Sequence, residues 1–228
     1  MGRYTGPACR ICRREGQKLF LKGARCYMAK CAIEQGTPAP GQHGARRGRK
    51  MSEYGEQLRQ KQCLRRQFGM QELQFKRFFK EALRRKGVTG EILLQLLETR
   101  MDNLVYRLGF ASSRRAARQF VLHGHMAVNG KTVSVPSAIV NVGEVIEVRD
   151  RPRSRDLATR SLEAATTQQT PSWLSLDKKA FRAELVQRLL EYRRYKESAA
   201  ALERYPQLGR DVFARPALPP EVSDLAEE

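Results

Sequence analysis

The dipeptide Asn129-Gly130 stands between two short apolar runs, HMAV and KTVSV, directly behind a segment, SSRRAARQFVLHG, that reads as a helix with its own stop signal. A two-residue hairpin loop of type I′ needs φ > 0 at both central positions, and Asn-Gly meets that need at little cost. Ahead of the hairpin, Ser112 or Ser113 can cap a helix that Gly124 ends. At about 100° per residue, Ala116, Ala117, Phe120 and Val121 fall on one arc, and Arg114, Arg115 and Arg118 fall on the other. One arc is predicted to pack and the other to face outward, with Lys131 projecting beside it. Gly143 and the run EVIEV predict a further strand, so helices pack on a small twisted sheet. Guanidinium groups fixed relative to one another suit bidentate contacts with phosphate, although a charged helix face can also be merely solvated. His123 and His125 flank Gly124 at the corner, where an imidazole can donate to phosphate or stack on a base, or only bond within the turn.

Charge names the partner class. Lys and Arg number 43 against 24 Asp and Glu, a formal net charge of +19, and each cation placed on a phosphate releases condensed counterions. Nucleic acid is therefore the expected partner. No apolar run approaches the ~20 residues that span a bilayer, and MGRYTGPACR carries no apolar signal core. The sequence predicts a cytoplasmic protein with no membrane and no small-molecule substrate. Residues 1–50 hold 12 basic and 2 acidic side chains, whereas from Ala201 onward the balance is 3 basic to 6 acidic. The last stretch, PALPPEVSDLAEE, has no helical or alternating pattern and reads as disordered. Within the basic end, GARRGRK reads as a flexible arm whose Arg46, Arg47, Arg49 and Lys50 would order on a phosphate backbone.

Four of the five cysteines, Cys9, Cys12, Cys26 and Cys31, follow the pattern C-x2-C-x13-C-x4-C. Two close pairs joined by a short loop let four thiolates converge on one ion, and Zn²⁺ is the usual occupant. Disulfides, a reduced metal-free fold and an iron–sulfur cluster are the alternatives. His43 could replace one thiol but lies twelve positions beyond Cys31, and Cys63 reads as a small buried group.

Residues 52–68 and 71–86 are predicted helices, the first capped by Ser52, with Gly69 and Gly87 at their ends and Leu73, Phe78 and Phe79 on an apolar face. A third runs from Thr89 to about Arg100, and its Ile92, Leu93, Leu96 and Leu97 are core. Near the other end, KKAFRAELVQRLLEYRRYKESAAALERY reads as a helix from Asp177 to about Tyr205, with Glu184 and Arg188 one turn apart and Phe181, Leu185 and Leu189 as a stripe. The expected class is α+β. A zinc-binding basic segment (1–50) precedes a helical domain (51–98), an inserted RNA-binding module of helices plus hairpin (99–160), a C-terminal helical segment (161–205) and an acidic disordered tail (206–228).

RMDNLVYRLGFASSRRAARQFVLHGHMAVNGKTVSV, residues 100–135, resembles the RNA-binding module shared by ribosomal and RNA-modifying proteins. The opening MGRYTGP, the run C-x2-C-R-R-E-G, PGQHG, SEYGEQLRQKQ, RKGVTG and SWLSLD resemble the bacterial small-subunit ribosomal protein S4 family in order and spacing, over about residues 1–177. The resemblance implies a protein that binds small-subunit ribosomal RNA at a multi-helix junction early in assembly, beside neighbouring ribosomal proteins. It also implies a part in shaping the side where messenger enters and in decoding accuracy, and it matches the zinc-carrying kind, with one structural Zn²⁺. RNA contacts would come from the basic arm, from Arg114, Arg115 and Arg118, from the two histidines, and from Asn129 and Lys131. The family usually closes on a motif like NEQLIVEFYSR, which is missing here, so the resemblance does not carry its C-terminal strands over to this chain.

Two rival functions arise. Pseudouridine synthases carry the same module and an aspartate in an Arg-Leu-Asp context, which Arg100-Met101-Asp102 imitates, but an acidic residue near a helix start is ordinary and the remaining chain is too short for a catalytic domain. A stand-alone RNA-binding stress or rescue factor would suit the unusual C-terminus.

Overall fold

The computed structural model describes residues 4–42, 44, 51–164, 170–171, 173–177 and 180–185. Helix α1 (Ala8–Glu15) and a 3-10 turn (Gly23–Tyr27) form a small N-terminal unit. Its core is Ala8, Cys12, Leu19 and Leu21 with Cys63 from the next helix. Helices α2 (Glu53–Gln67), α3 (Glu72–Arg84) and α4 (Thr89–Glu98) follow, then α5 (Met101–Arg107) and α6 (Arg114–Leu122). Strands β1 (Met126–Val128), β2 (Lys131–Val133) and β3 (Val145–Val148), helix α7 (Pro152–Ala164), and strands β4 (Leu174–Asp177) and β5 (Arg182–Leu185) complete the chain order.

Local chemistry sets most of these boundaries. Ser52 caps α2 by accepting the Gly55 N–H at 3.3 Å, and Arg65 and Arg66 sit in its last turn, where cations complement the helix dipole. The helix closes on Gly69 at φ +64°, with Gly69 N–H donating to Arg66 O and Met70 N–H to Arg65 O. Helix α3 stops at Arg84 instead of 86, because Arg85 is extended, so Gly87 is not its cap. The third predicted helix also ends early, at Glu98: Val140 donates to Thr99 O and Met101 to Ala138 O, which ties the turn to a distant loop.

The hairpin is as expected. Ser113 caps α6 through Ala116 N–H at 3.3 Å, Gly124 ends the helix at φ +68°, and Asn129 and Gly130 take φ +49° and +76°. Strand β1 pairs with both β2 and β3, and the five strands run β2-β1-β3-β5-β4, all neighbours antiparallel.

One predicted element changes type. The helix expected from Asp177 begins instead as strand β5, inserted between β3 and β4, with Ile146 opposite Ala183. Phe181, Ala183 and Leu185 alternate with Arg182 and Glu184, so the same residues that mark a four-residue stripe also fit a period of two. The open edge of β3 decides between them: Ala183 and Leu185 bury, and Arg182 pairs with Glu147 at 3.4 Å. The partner predicted for Glu184, Arg188, and the rest of the predicted helix lie outside the described residues, as does the predicted tail from 206 to 228. Helix α7 crosses the boundary expected at residue 160.

A single apolar core runs from Leu64 in α2 through α4 and α5 to Leu185 in β5. Helix α5 is buried almost throughout, with Met101, Leu104 and Val105 fully covered. The helical segment and the module thus share one interior, which fixes α2 and α3 relative to α6.

Candidate nucleic-acid interface

Between α1, the α2–α3 turn and α6 lies a cleft of about 810 Å³. Its floor includes Ile11, Leu21, Phe68 and Met70. Helix α1 contributes Arg10 and Arg14 to its walls, α2 contributes Arg65 and Arg66, and α6 contributes Arg114, Arg115 and Arg118. Glu72 and Asp102 are the carboxylates of the lining.

The three helix arginines do not share one fate. Arg114 is buried, its guanidinium 4.8 Å from the Phe68 ring and 4.7 Å from the Tyr106 ring, and its Nε donates to Asn103 Oδ1 at 2.8 Å. The expectation that Arg114 faces outward is therefore corrected. It is the first residue of α6, and a helical side chain leans toward the N-terminus, here onto α5 and not toward solvent. Arg115 and Arg118 remain half-exposed. Arg115 lies 5.8 Å from the Tyr4 ring and donates to Tyr4 O at 3.4 Å; Arg118 approaches Asp102 at 3.5 Å.

Buried ion pairs brace the module behind the cleft. Arg100 donates from Nε and Nη2 to the two Asp102 oxygens at 3.0 and 2.7 Å. Arg107 grips Glu98 in the same bidentate way at 2.9 and 2.7 Å, and Asn103 Nδ2 donates to Glu98 Oε2 at 2.6 Å. Burial by itself would raise the Glu98 carboxyl pKa, but Arg107, Arg114 and Asn103 together bring it below the usual value. Asp102 is thus a partner of Arg100 inside the fold, which explains the Arg-Met-Asp string without catalysis.

On the N-terminal wall, Arg65 is held by Gln62, by Met70 O at 3.2 Å and by Glu72 at 3.3 Å, and Arg66 pairs with Glu15. Arg10 and Arg14 are exposed, and among the described residues their guanidinium groups have no partner. None of these four arginines was singled out from the sequence. The spacing of Arg10 and Arg14 by one helical turn was the available signal, masked by the cysteine pattern that overlies it.

The remaining described candidates lie apart from this cleft. His125 is half-buried, its ring 4.8 Å from Phe120 and its Nδ1 2.8 Å from Ser154 Oγ. Burial, then the proximity of His123, Arg153, Arg151 and Arg149, lowers its pKa. His123 and Lys131 are exposed. Asn129 supports the hairpin, its Oδ1 accepting the Val145 N–H at 2.9 Å. Arg46, Arg47, Arg49, Lys50 and His43 lie outside the described residues.

Cys9, Cys12, Cys26 and Cys31 are unbridged, and the last three are buried. Burial, and then the proximity of other thiols, raises the Cys12 and Cys26 pKa, against N–H donation from Leu19 to Cys12 and from Lys22 to Cys26 Sγ at 3.3 Å. Among the described residues, no three His, Cys, Asp or Glu side chains form a cluster that could hold an ion. No described helix is long and apolar enough to cross a membrane.

Known proteins resemble the chain on both sides of the cleft. Residues 3–98 match the ribosomal protein S4/S9 N-terminal domain, and residues 99–146 match the S4 domain. A small ribosomal subunit protein uS4 of Thermoanaerobacter sp. (strain X514) is 55% identical over 186 residues, covering 82% of this chain and 89% of the relative. The uS4 protein of Thermus thermophilus is 55% identical over 177 residues, 78% of this chain and 85% of its own. A uS4A protein of Symbiobacterium thermophilum is 54% identical over 186 residues, 82% and 89% of the two chains.

Proposed function

We propose, on the premise that this chain belongs to the uS4 family of small ribosomal subunit proteins, that it is a structural constituent of the small subunit and binds small-subunit ribosomal RNA through the arginine cleft. It acts in the cytoplasmic ribosome, beside neighbouring ribosomal proteins, and is not an enzyme. One observation carries the choice of surface: guanidinium groups from both matched segments, the exposed Arg10 and Arg14 on one wall and the half-exposed Arg115 and Arg118 on the other, line one cleft. Phosphates held there would release counterions, and α2 joins the two walls, packing Cys63 in the core of α1 and Leu64 in the core of α6. Binding early, such a protein nucleates the subunit body and, from the side where messenger enters, affects decoding accuracy.

Binding of a small-subunit ribosomal RNA fragment, titrated against salt, tests the surface. The double variant Arg115→Ala/Arg118→Ala should bind more weakly and lose roughly two units of salt slope. Unchanged affinity would move the interface elsewhere. Sedimentation separates the family role from a stand-alone rescue factor: a constituent stays in salt-washed small subunits, and a factor comes off.

The same reading assigns one structural Zn²⁺ to Cys9, Cys12, Cys26 and Cys31. Four unbridged thiols at this spacing, with peptide N–H groups directed at the sulfurs of Cys12 and Cys26, suit a four-thiolate donor set. When bound, the ion supplies a cross-link between α1 and the 3-10 turn, and no reaction.

A further inference from the structure

We infer that residues 221–228 of this chain, EVSDLAEE, occupy the arginine cleft when RNA is absent and are displaced when RNA binds; this rests on reading the cleft as the RNA-binding surface. The cleft has an excess of positive charge that its own surroundings do not cancel. Seven arginines line it against two carboxylates, Asp102 already engaged by Arg100 and Glu72 by Lys61 at 2.7 Å; Glu15 pairs with Arg66 from beside the cleft, and among the described residues Arg10, Arg14 and Arg115 are left with no carboxylate partner. Beneath the guanidinium groups lies an apolar floor. An occupant that suits both must alternate carboxylates with apolar side chains.

That pattern occurs at one place in the chain beyond β5. Residues 221–228 hold four carboxylates and no cation, with Val222 and Leu225 each directly after an acid, Glu221 and Asp224. The intervening segment, residues 186–215, carries seven Lys and Arg against four Asp and Glu, so the cleft repels it and selects the octet instead. Reach is adequate. Glu221 follows Leu185 by 36 positions, a length that spans roughly 33 Å as a coil and about 54 Å at helical rise, so either conformation covers about the width of a small domain. Tethering makes the encounter intramolecular, so a weak contact competes with free RNA at an effective concentration on the order of millimolar.

Competition of this kind leaves a particular trace. Salt weakens the tail's contact as well as the RNA's, so the tail must cost RNA affinity at low salt and cost nothing at high salt. The experiment compares four full-fold proteins on one small-subunit ribosomal RNA fragment at about 50 mM and about 500 mM salt. They are the intact chain, a chain stopped after Pro220, the same-length variant Glu221→Gln/Asp224→Asn/Glu227→Gln/Glu228→Gln, and Arg115→Ala/Arg118→Ala. The shortened and neutralised chains should bind about 3–10-fold tighter at low salt, with a steeper salt slope, and equally at high salt. Equal affinity at both salts, with the arginine variant weakened, would overturn the tail and keep the cleft. An arginine variant that binds RNA normally would overturn the reading of the cleft, and hydrogen exchange then decides the tail without RNA. Amides of residues 65–70 and 114–118 should exchange more slowly in the intact chain than in the chain stopped after Pro220, and identical rates would refute the contact.

Discussion

Arg114 donates from Nε to Asn103 Oδ1 at 2.8 Å, and this bond couples the first residue of the arginine helix to the buried helix under it. Arg114→Ala should therefore lower stability by about 2–3 kcal/mol, since two aromatic rings lose their cation and a buried amide loses a partner. Arg115→Ala should leave stability nearly unchanged. Urea unfolding of both variants separates them, and comparable losses would show that exposure does not sort these arginines.

Asp102→Asn should be more damaging than any change on the cleft surface. Arg100 is 1% exposed and leans on this carboxylate through two bonds, while its Nη1 already has no hydrogen-bond partner among the described residues. Breaking a buried pair from one side costs about 3–5 kcal/mol. Unfolding midpoints test this, and a loss below ~1 kcal/mol would mean that the pair behaves like a surface one.

Stability should fall as the solution is acidified through the histidine range. His125 has a lowered pKa in the fold, so the unfolded chain takes up the proton first as pH drops. The contribution is intact above the ordinary value of about 6.5, is lost progressively below it, and levels off beneath the folded pKa. Melting temperatures between about pH 7.5 and 5 should fall less steeply in His125→Gln than in the parent. Parallel slopes would assign the acid sensitivity to other groups.

Elemental analysis should find one zinc per chain and no iron. A chelator should loosen residues up to about 35, read by proteolysis, and leave the segment from Thr99 to Val148 protected, because the two have separate cores. Substoichiometric zinc in a chain protected at its N-terminus would refute the metal.

Stopping the chain after Asp177 should unfold the sheet, whereas stopping after Leu185 should not. Strand β5 lies inside the sheet, and Ala183 and Leu185 are 3% and 1% exposed. Circular dichroism and melting of the two truncations test the contrast. A cooperative, undiminished melt after loss of β5 would show that β3 tolerates an open edge.

What the sequence made legible was what short range decides. Asn129-Gly130, Ser113 and Gly124 each act within a few residues, and the hairpin and its helix formed where they predict. Arg114 was misread because periodicity assigns a side to a helix but not a direction to a side chain at its first turn. Strand β5 was misread because residues 181–185 satisfy two periods, and pairing on both sides, with β4 and with β3 more than thirty positions earlier, selects one. The cleft was legible on one wall only: its arginines come from three helices that meet because α2 contributes to two separate cores, a relation no local spacing encodes.

The position of β5 also sets an order of events during synthesis. It is the last described strand in the chain yet an interior one in the sheet, so β3 leaves the synthesis machinery well before its second neighbour exists. Val148 and Leu185 are 37 positions apart, an interval of roughly 2–7 s at ~5–20 residues per second. For that time the nascent chain carries a finished hairpin beside an unpaired β3 edge and an uncovered Ile146. A nascent chain stalled in that window is the form of this protein most prone to sticking to its own kind.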